Sequence, residues 1–124
     1  MKPKAIFGNF FKTKRIEAGF TLREFCKIHN IDPGNISRME RGLLKPPSSK
    51  DKLEEYASYL GIEKGSDDWY EFFDLAAACR GEIPEEILDN EELLKHLPII
   101  FRTIRGKKLS KKKLEELIEI IRRA

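Results

Sequence analysis

The chain is poor in the residues that reactive sites and staples require. It has two cysteines, Cys26 and Cys79, in 124 residues, and no C-x-x-C pair. Two cysteines cannot form a disulfide framework, and their spacing to His29 and His96 matches no zinc-ligand motif. They read as reduced core thiols, with no metal and no cofactor. No apolar run approaches the ~18–20 residues of a bilayer span, so no membrane partner is expected. The opening MKPKAIFGNFFKTK is basic but lacks an apolar segment and a small-residue cleavage site. It is not read as an export signal, and a cytoplasmic location is expected. No stretch alternates with a period of two, which argues against a sheet. There is no phosphate loop, no G-x-G-x-x-G and no Ser–His–Asp set, so the chain is read as a non-enzyme. Glu85, Glu86, Glu91 and Glu92 read as a solvated acidic face rather than as paired catalytic carboxylates.

What is present is charge, and it is segregated. The formal net charge is +3, but residues 1–47 carry ten Lys/Arg against four Asp/Glu. Residues 48–101 carry five against fourteen, and residues 102–124 carry nine against three. A basic head, an acidic middle and a basic tail suit a head that faces a polyanion. The same counts also fit a set of solvated helix faces, which is the plainer reading of charge alone.

Helical periodicity and stop signals divide the chain into short helices. The first is expected from Ile6 to Glu17, ended by Gly19. Thr21 and Glu24 make a T-x-x-E capping box for a second helix to about His29, and Asn30 suits the left-handed position after it. Asp32 caps a third helix, Pro33–Arg41, with Pro33 at its first position and Gly42 beyond its end. Pro46 and Pro47 stiffen the loop that follows. Ser48 or Ser49 caps a fourth helix with Leu53, Tyr56, Ala57 and Leu60 inward. Ser66 caps a fifth, rich in Trp69, Phe72, Phe73, Leu75 and Ala76; that cluster reads as core before ligand pocket. Pro84 opens a short helical turn. Glu91–Ile104 is expected to be helical with a break or kink before Pro98. Ser110 caps a last helix to about Arg123, with Leu114, Leu117, Ile118 and Ile121 on one face. Its lysines, Lys107, Lys108, Lys111, Lys112 and Lys113, read as a solvent face before a second polyanion surface.

Residues 21–42 hold the most specific pattern. Two short helices flank a turn of about three residues, which forces a steep crossing. The second helix is under three turns long. Its outward positions are small or polar (Gly34, Asn35, Ser37, Arg38, Arg41), while Ile36 and Met39 face inward. Such a helix can enter a major groove deeply.

The motifs K-x-K-R-x-x-x-G, T-L-R-E-F, I-S-R-M-E-R-G and L-x-x-Y-A-x-x-L-G-I, in this order over about residues 6–62, resemble the phage-repressor and Cro-like helix-turn-helix family. The resemblance implies an all-α fold: a five-helix repressor-like domain with a C-terminal helical extension. The boundary is expected at residues 1–65 and 66–124. It further implies a partly buried ion pair between Arg15 and Glu40. Base-edge contacts would fall to Pro33, Gly34, Asn35, Ser37 and Arg38, and backbone contacts to Thr21, Arg23, Arg41 and Lys45. Three departures stand out. Leu22 replaces a glutamine that meets phosphate, leaving Arg23 to substitute. Pro33 and Gly34 replace longer polar residues, which shifts base reading to Asn35, Ser37 and Arg38. Asn30 takes the place of the family's turn glycine.

The implied function is a sequence-specific regulator of transcription, a repressor, bound to a double-stranded DNA operator as a homodimer. Two recognition helices are needed because one reads too few base pairs. The dimer contact is expected in residues 66–124. The alternative is an antitoxin-type protein, or one controlled by a regulatory protease. There the acidic, apolar segment GEIPEEILDNEELLKHLPIIF would bind the partner protein while the N-terminal domain autoregulates its operon.

Overall fold

The structure, a computed structural model, describes residues 3–83, 85–106 and 111–123. Among the described residues it is all-α, with no strand. Helix α1 spans Pro3–Glu17 and starts earlier than the apolar pattern indicates. Helices α2 (Leu22–His29) and α3 (Pro33–Glu40) follow across the three-residue turn of Asn30, Ile31 and Asp32. Helix α4 spans Lys50–Tyr59 and α5 spans Asp67–Cys79. Ser49, rather than Ser48, caps α4 by accepting from the Lys52 amide at 3.1 Å. Ser66 caps α5 through the Trp69 amide at 3.2 Å, with Asp67 and Asp68 in the first turn where the helix dipole favours them.

Helices α1–α5 enclose one aromatic core. Phe7 and Phe11 from α1, Phe25 from α2 and Phe72 from α5 are fully buried. Phe11 meets Phe25 edge to face with ring centres 5.7 Å apart, and Phe7 meets Phe72 at 5.2 Å. Such pairs add to the large apolar area each ring removes from water. Ile36, Met39, Leu53, Ala57 and Ala76 fill the spaces between them.

This packing moves the domain boundary. A division at residue 65 would cut off Phe72 and Ala76, which complete the core. The chain divides instead into compact units Met1–Glu82 and Ile83–Ala124. Because α5 carries an apolar face that α1 covers, it belongs to the first unit and not to the extension.

The second unit contains α6 (Glu85–Leu88), α7 (Glu91–Gly106) and α8 (Lys111–Arg123). Asn90 caps α7, its side-chain oxygen accepting from the Leu93 amide at 3.2 Å. Helix α7 runs through Pro98 without dividing, so the chain has no break there. Proline removes one backbone hydrogen bond, and the turns on either side keep theirs. Pro84, Lys107, Lys108 and Ser110 lie outside the described residues. Of the lysine run, Lys111 and Lys112 are exposed. Among the described residues no helix is long and apolar enough to cross a membrane.

Candidate nucleic-acid interface

The turn between α2 and α3 is built by local chemistry at each residue. Thr21 caps α2, its hydroxyl oxygen accepting from the Glu24 amide at 3.2 Å. Asn30 ends the helix in the left-handed region, at φ 54° and ψ 53°. The chain then wraps back, and the Ile31 amide donates to the Cys26 carbonyl at 2.9 Å. Asp32 caps α3 with both carboxylate oxygens: the Gly34 and Asn35 amides donate to them at 3.3 Å each. Pro33 needs no partner at the first helical position. These amides are already occupied, so α3 presents side chains rather than its helix terminus.

One buried ion pair sets where α3 lies. Arg15 donates from Nε to Glu40 Oε2 at 2.8 Å and from Nη2 to Oε1 at 3.0 Å. Its Nη1 donates to the Phe20 carbonyl at 2.8 Å. A single guanidinium therefore joins α1, the end of α3 and the residue leading into α2. The two side chains are only 7% and 5% exposed, so the fork geometry must satisfy them almost completely. The bond to Glu40 holds the Arg15 pKa above its ordinary value.

Two glycines let the backbones approach, and the sequence reading passed over the first. A Cβ on Gly8 would stand 2.3 Å from the Met39 carbonyl oxygen and 2.5 Å from that of Glu40. The end of α3 thus lies directly on the backbone of α1. Gly42 (φ +76°) turns the chain out of α3, and a Cβ there would meet the Ala5 Cα at 2.8 Å. A lone glycine inside an apolar helical pattern is the signal that would have singled out Gly8. A second missed contact is Lys14 with Asp68, 2.7 Å apart, which fastens α1 to α5. The bond to Asp68, aided by Glu17, raises the Lys14 pKa.

The other face of α3 is open. Pro33, Asn35, Arg38 and Arg41 are exposed, and Gly34 and Ser37 are half-buried. Arg38 Nη2 donates to Asn35 Oδ1 at 2.6 Å. Arg41 Nε donates to the Ser37 carbonyl at 3.3 Å. Thr21 and Arg23 are exposed at the start of α2. Lys45 is exposed on the loop after α3, and its charge, with those of Arg80 and Lys4, acts on the Cys79 thiol. The chain therefore joins Arg15 to Glu40 and Asn35 to Arg38.

The thiols and the aromatic cluster occupy structural places. Burial raises the pKa of Cys26 in the core, and the Glu40 carboxylate adds to it. Burial likewise raises that of Cys79. His29 stacks on Tyr59 with ring centres 3.9 Å apart, and its Nε2 is buried without a hydrogen-bond partner among the described residues. Among the described residues no three His, Cys, Asp or Glu side chains converge as a metal-ligand set. Phe72 is core, with Trp69 and Phe73 packed against it. Comparison with family models, with curated proteins and with solved structures finds no match to this chain.

Proposed function

We propose that the first unit is a helix-turn-helix domain that binds double-stranded DNA with α3 in the major groove. The protein then acts as a sequence-specific transcriptional regulator, a repressor, in homodimeric form. The observation that carries this reading is the division of α3 into two faces. Ile36, Met39 and Glu40 are buried against the core, while Asn35 and Arg38 on the same eight-residue helix, and Arg41 at its C-cap, are exposed. A helix held this firmly, with polar side chains outward, supports reading of base edges. Thr21, Arg23, Arg41 and Lys45 are the phosphate contacts, because each offers a donor at an exposed position.

The test is fluorescence anisotropy of labelled duplex DNA across a salt series. Arg23, Arg41 and Lys45 from two subunits neutralise about six phosphates, so log K should fall against log[salt] with a slope of about −5. Arg41→Ala should weaken all sequences alike and flatten the slope by about one per subunit. Binding that is indifferent to salt would overturn the DNA reading.

The second unit supports a partner role. It is compact on its own, and Leu88, Leu94, Ile99 and Ile118 are exposed large apolar side chains. With α5 committed to the core, the dimer contact belongs to residues 83–124. The same exposed side chains favour the antitoxin-type alternative, in which this unit binds a partner protein. Purification of the chain with its operon neighbours separates the two: a homodimer elutes alone, and an antitoxin elutes with its partner.

A further inference from the structure

We infer that Asn35 and Arg38 form one coupled reader with a donor-rich edge, selecting guanine, and that Asn35 positions Arg38 instead of reading adenine itself. The inference rests on the DNA reading above and deepens it.

Three observations carry it. Arg38 Nη2 donates to Asn35 Oδ1 at 2.6 Å, between two exposed side chains one turn apart on α3. The guanidinium also lies over Gly34: a Cβ built there would be 3.5 Å from Nη1 and 3.7 Å from Nη2. That Cβ alone would make ordinary contact, but any γ atom beyond it would compete with the guanidinium for the same space. The lack of a side chain at position 34 therefore leaves the place that Arg38 fills, and Asn35 holds it there. The direction is the usual one, because long helical side chains lean back toward the N-terminus.

The chemistry of the exposed edge follows. An asparagine reads adenine by accepting from N6 through its oxygen and donating to N7 through its amide nitrogen. In this geometry the oxygen already accepts from a cation. An adenine amino group brought to it would also set its hydrogens against the guanidinium charge. What the pair presents outward is chiefly the Asn35 Nδ2 group and the unused N–H groups of Arg38, all donors, while the second lone pair of Oδ1 lies beside the guanidinium charge. The base edge with two adjacent acceptors and no donor is that of guanine, through N7 and O6.

The experiment is a binding-site selection from randomised duplex DNA with the full chain. Its arms are wild type, Asn35→Ala, Arg38→Ala and the double variant, with folding checked by circular dichroism. Asn35 and Arg38 are both exposed, so these variants keep the core intact. Wild type should enrich guanine at one base pair in each half-site. Each single variant should lose about ten- to a hundred-fold of discrimination at that same base pair, and the double should lose no more than Arg38→Ala alone. Gly34→Ala should keep the guanine preference, whereas Gly34→Leu should lose it while retaining salt-dependent binding.

Enrichment of adenine that Asn35→Ala alone abolishes would overturn the inference, as would strictly additive losses at two separate base pairs. If wild type enriches no sequence and binds no duplex, the DNA reading itself fails and the inference falls with it. That outcome is distinct from retained binding with independent readers.

Discussion

Gly8→Ala sets two ordinary effects against each other at one atom. In an exposed helix interior, alanine is favoured over glycine by about 0.8–1.0 kcal/mol. On propensity alone the variant would be more stable. At this position the new Cβ would lie 2.3 Å from the Met39 oxygen, 2.5 Å from the Glu40 oxygen and 2.8 Å from the Glu40 carbonyl carbon. All three are backbone atoms, so no side chain can swing aside. Relaxation to ordinary contact near 3.5 Å requires α3 to withdraw from α1 by roughly 1 Å. Overpacking of this kind costs about 1–3 kcal/mol. The same movement stretches the Arg15–Glu40 bonds, now 2.8 and 3.0 Å, beyond good hydrogen-bond geometry. The packing term exceeds the propensity term, and the strained ion pair adds to it. Net destabilisation of about 2 kcal/mol or more is expected. The assay is urea unfolding of the full chain, followed by fluorescence. The single tryptophan, Trp69, is packed against the core of the first unit and reports on it directly. An alanine variant as stable as the wild type, or more stable by the propensity increment, would refute the close crossing of α1 and α3.

Further expectations can be checked by similar means. Arg15→Met alone leaves the Glu40 carboxylate buried and unpaired, and should cost about 3 kcal/mol in the same unfolding assay; Arg15→Met with Glu40→Leu should recover most of the loss. Truncation after residue 65 removes Phe72 and should unfold the first unit, whereas truncation after Glu82 should leave it folded and monomeric by sedimentation. The bond to Asp68 raises the Lys14 pKa above its ordinary value, so the pair's contribution is present at neutral pH and disappears as pH rises through the folded Lys14 pKa. Asp68→Asn should therefore cost under about 1 kcal/mol at neutral pH, since Asp68 is half exposed, and less in strong alkali, where only its place in the first turn of α5 is lost. An equal loss at both pH values would assign the effect to packing.

The signals that were legible in the sequence are local ones. Asn30, Asp32, Pro33, Ser66 and Gly42 act within a few residues of themselves, through a left-handed position or a side-chain cap. Their types alone therefore indicate where α2, α3 and α5 start or stop. The Arg15–Glu40 pair spans 25 residues and entered through the family resemblance, not through periodicity. The place of α5 was legible only in part: its aromatic cluster reads as core, yet the boundary at residue 65 assigns it to the extension. Its apolar face is equally suited to a dimer contact or to a core, and only the position of Phe7 and Phe11 decides between them. Gly8 was missed for a related reason. Its value lies in what approaches it from residues 39 and 40; the lone glycine in an apolar helical pattern marks the position but does not name that partner. Of the break or kink that Pro98 suggested, the break does not occur: proline's penalty is local, and the helix continues through it.

Helix α3 is too short to be stable by itself: eight residues form few internal hydrogen bonds against the cost of nucleation. Its direction is therefore set by what holds it, and the strongest restraint at its C-terminal end is Arg15. The same guanidinium holds the Phe20 carbonyl, so α1, α3 and the approach to α2 are fixed by one side chain. Nothing in this set touches the outward face of Asn35, Arg38 and Arg41. Stability and base preference should then separate cleanly under mutation. On the proposed DNA reading, Arg15→Met, measured at a temperature where it remains folded, should lower affinity for every duplex because α3 is presented less rigidly. It should leave the preferred base at each position unchanged, because Asn35 and Arg38 still meet each other on the same helix. A binding-site selection on this variant distinguishes the two properties. A changed base preference would show that the orientation of α3, and not the Asn35–Arg38 pair, determines which bases are read.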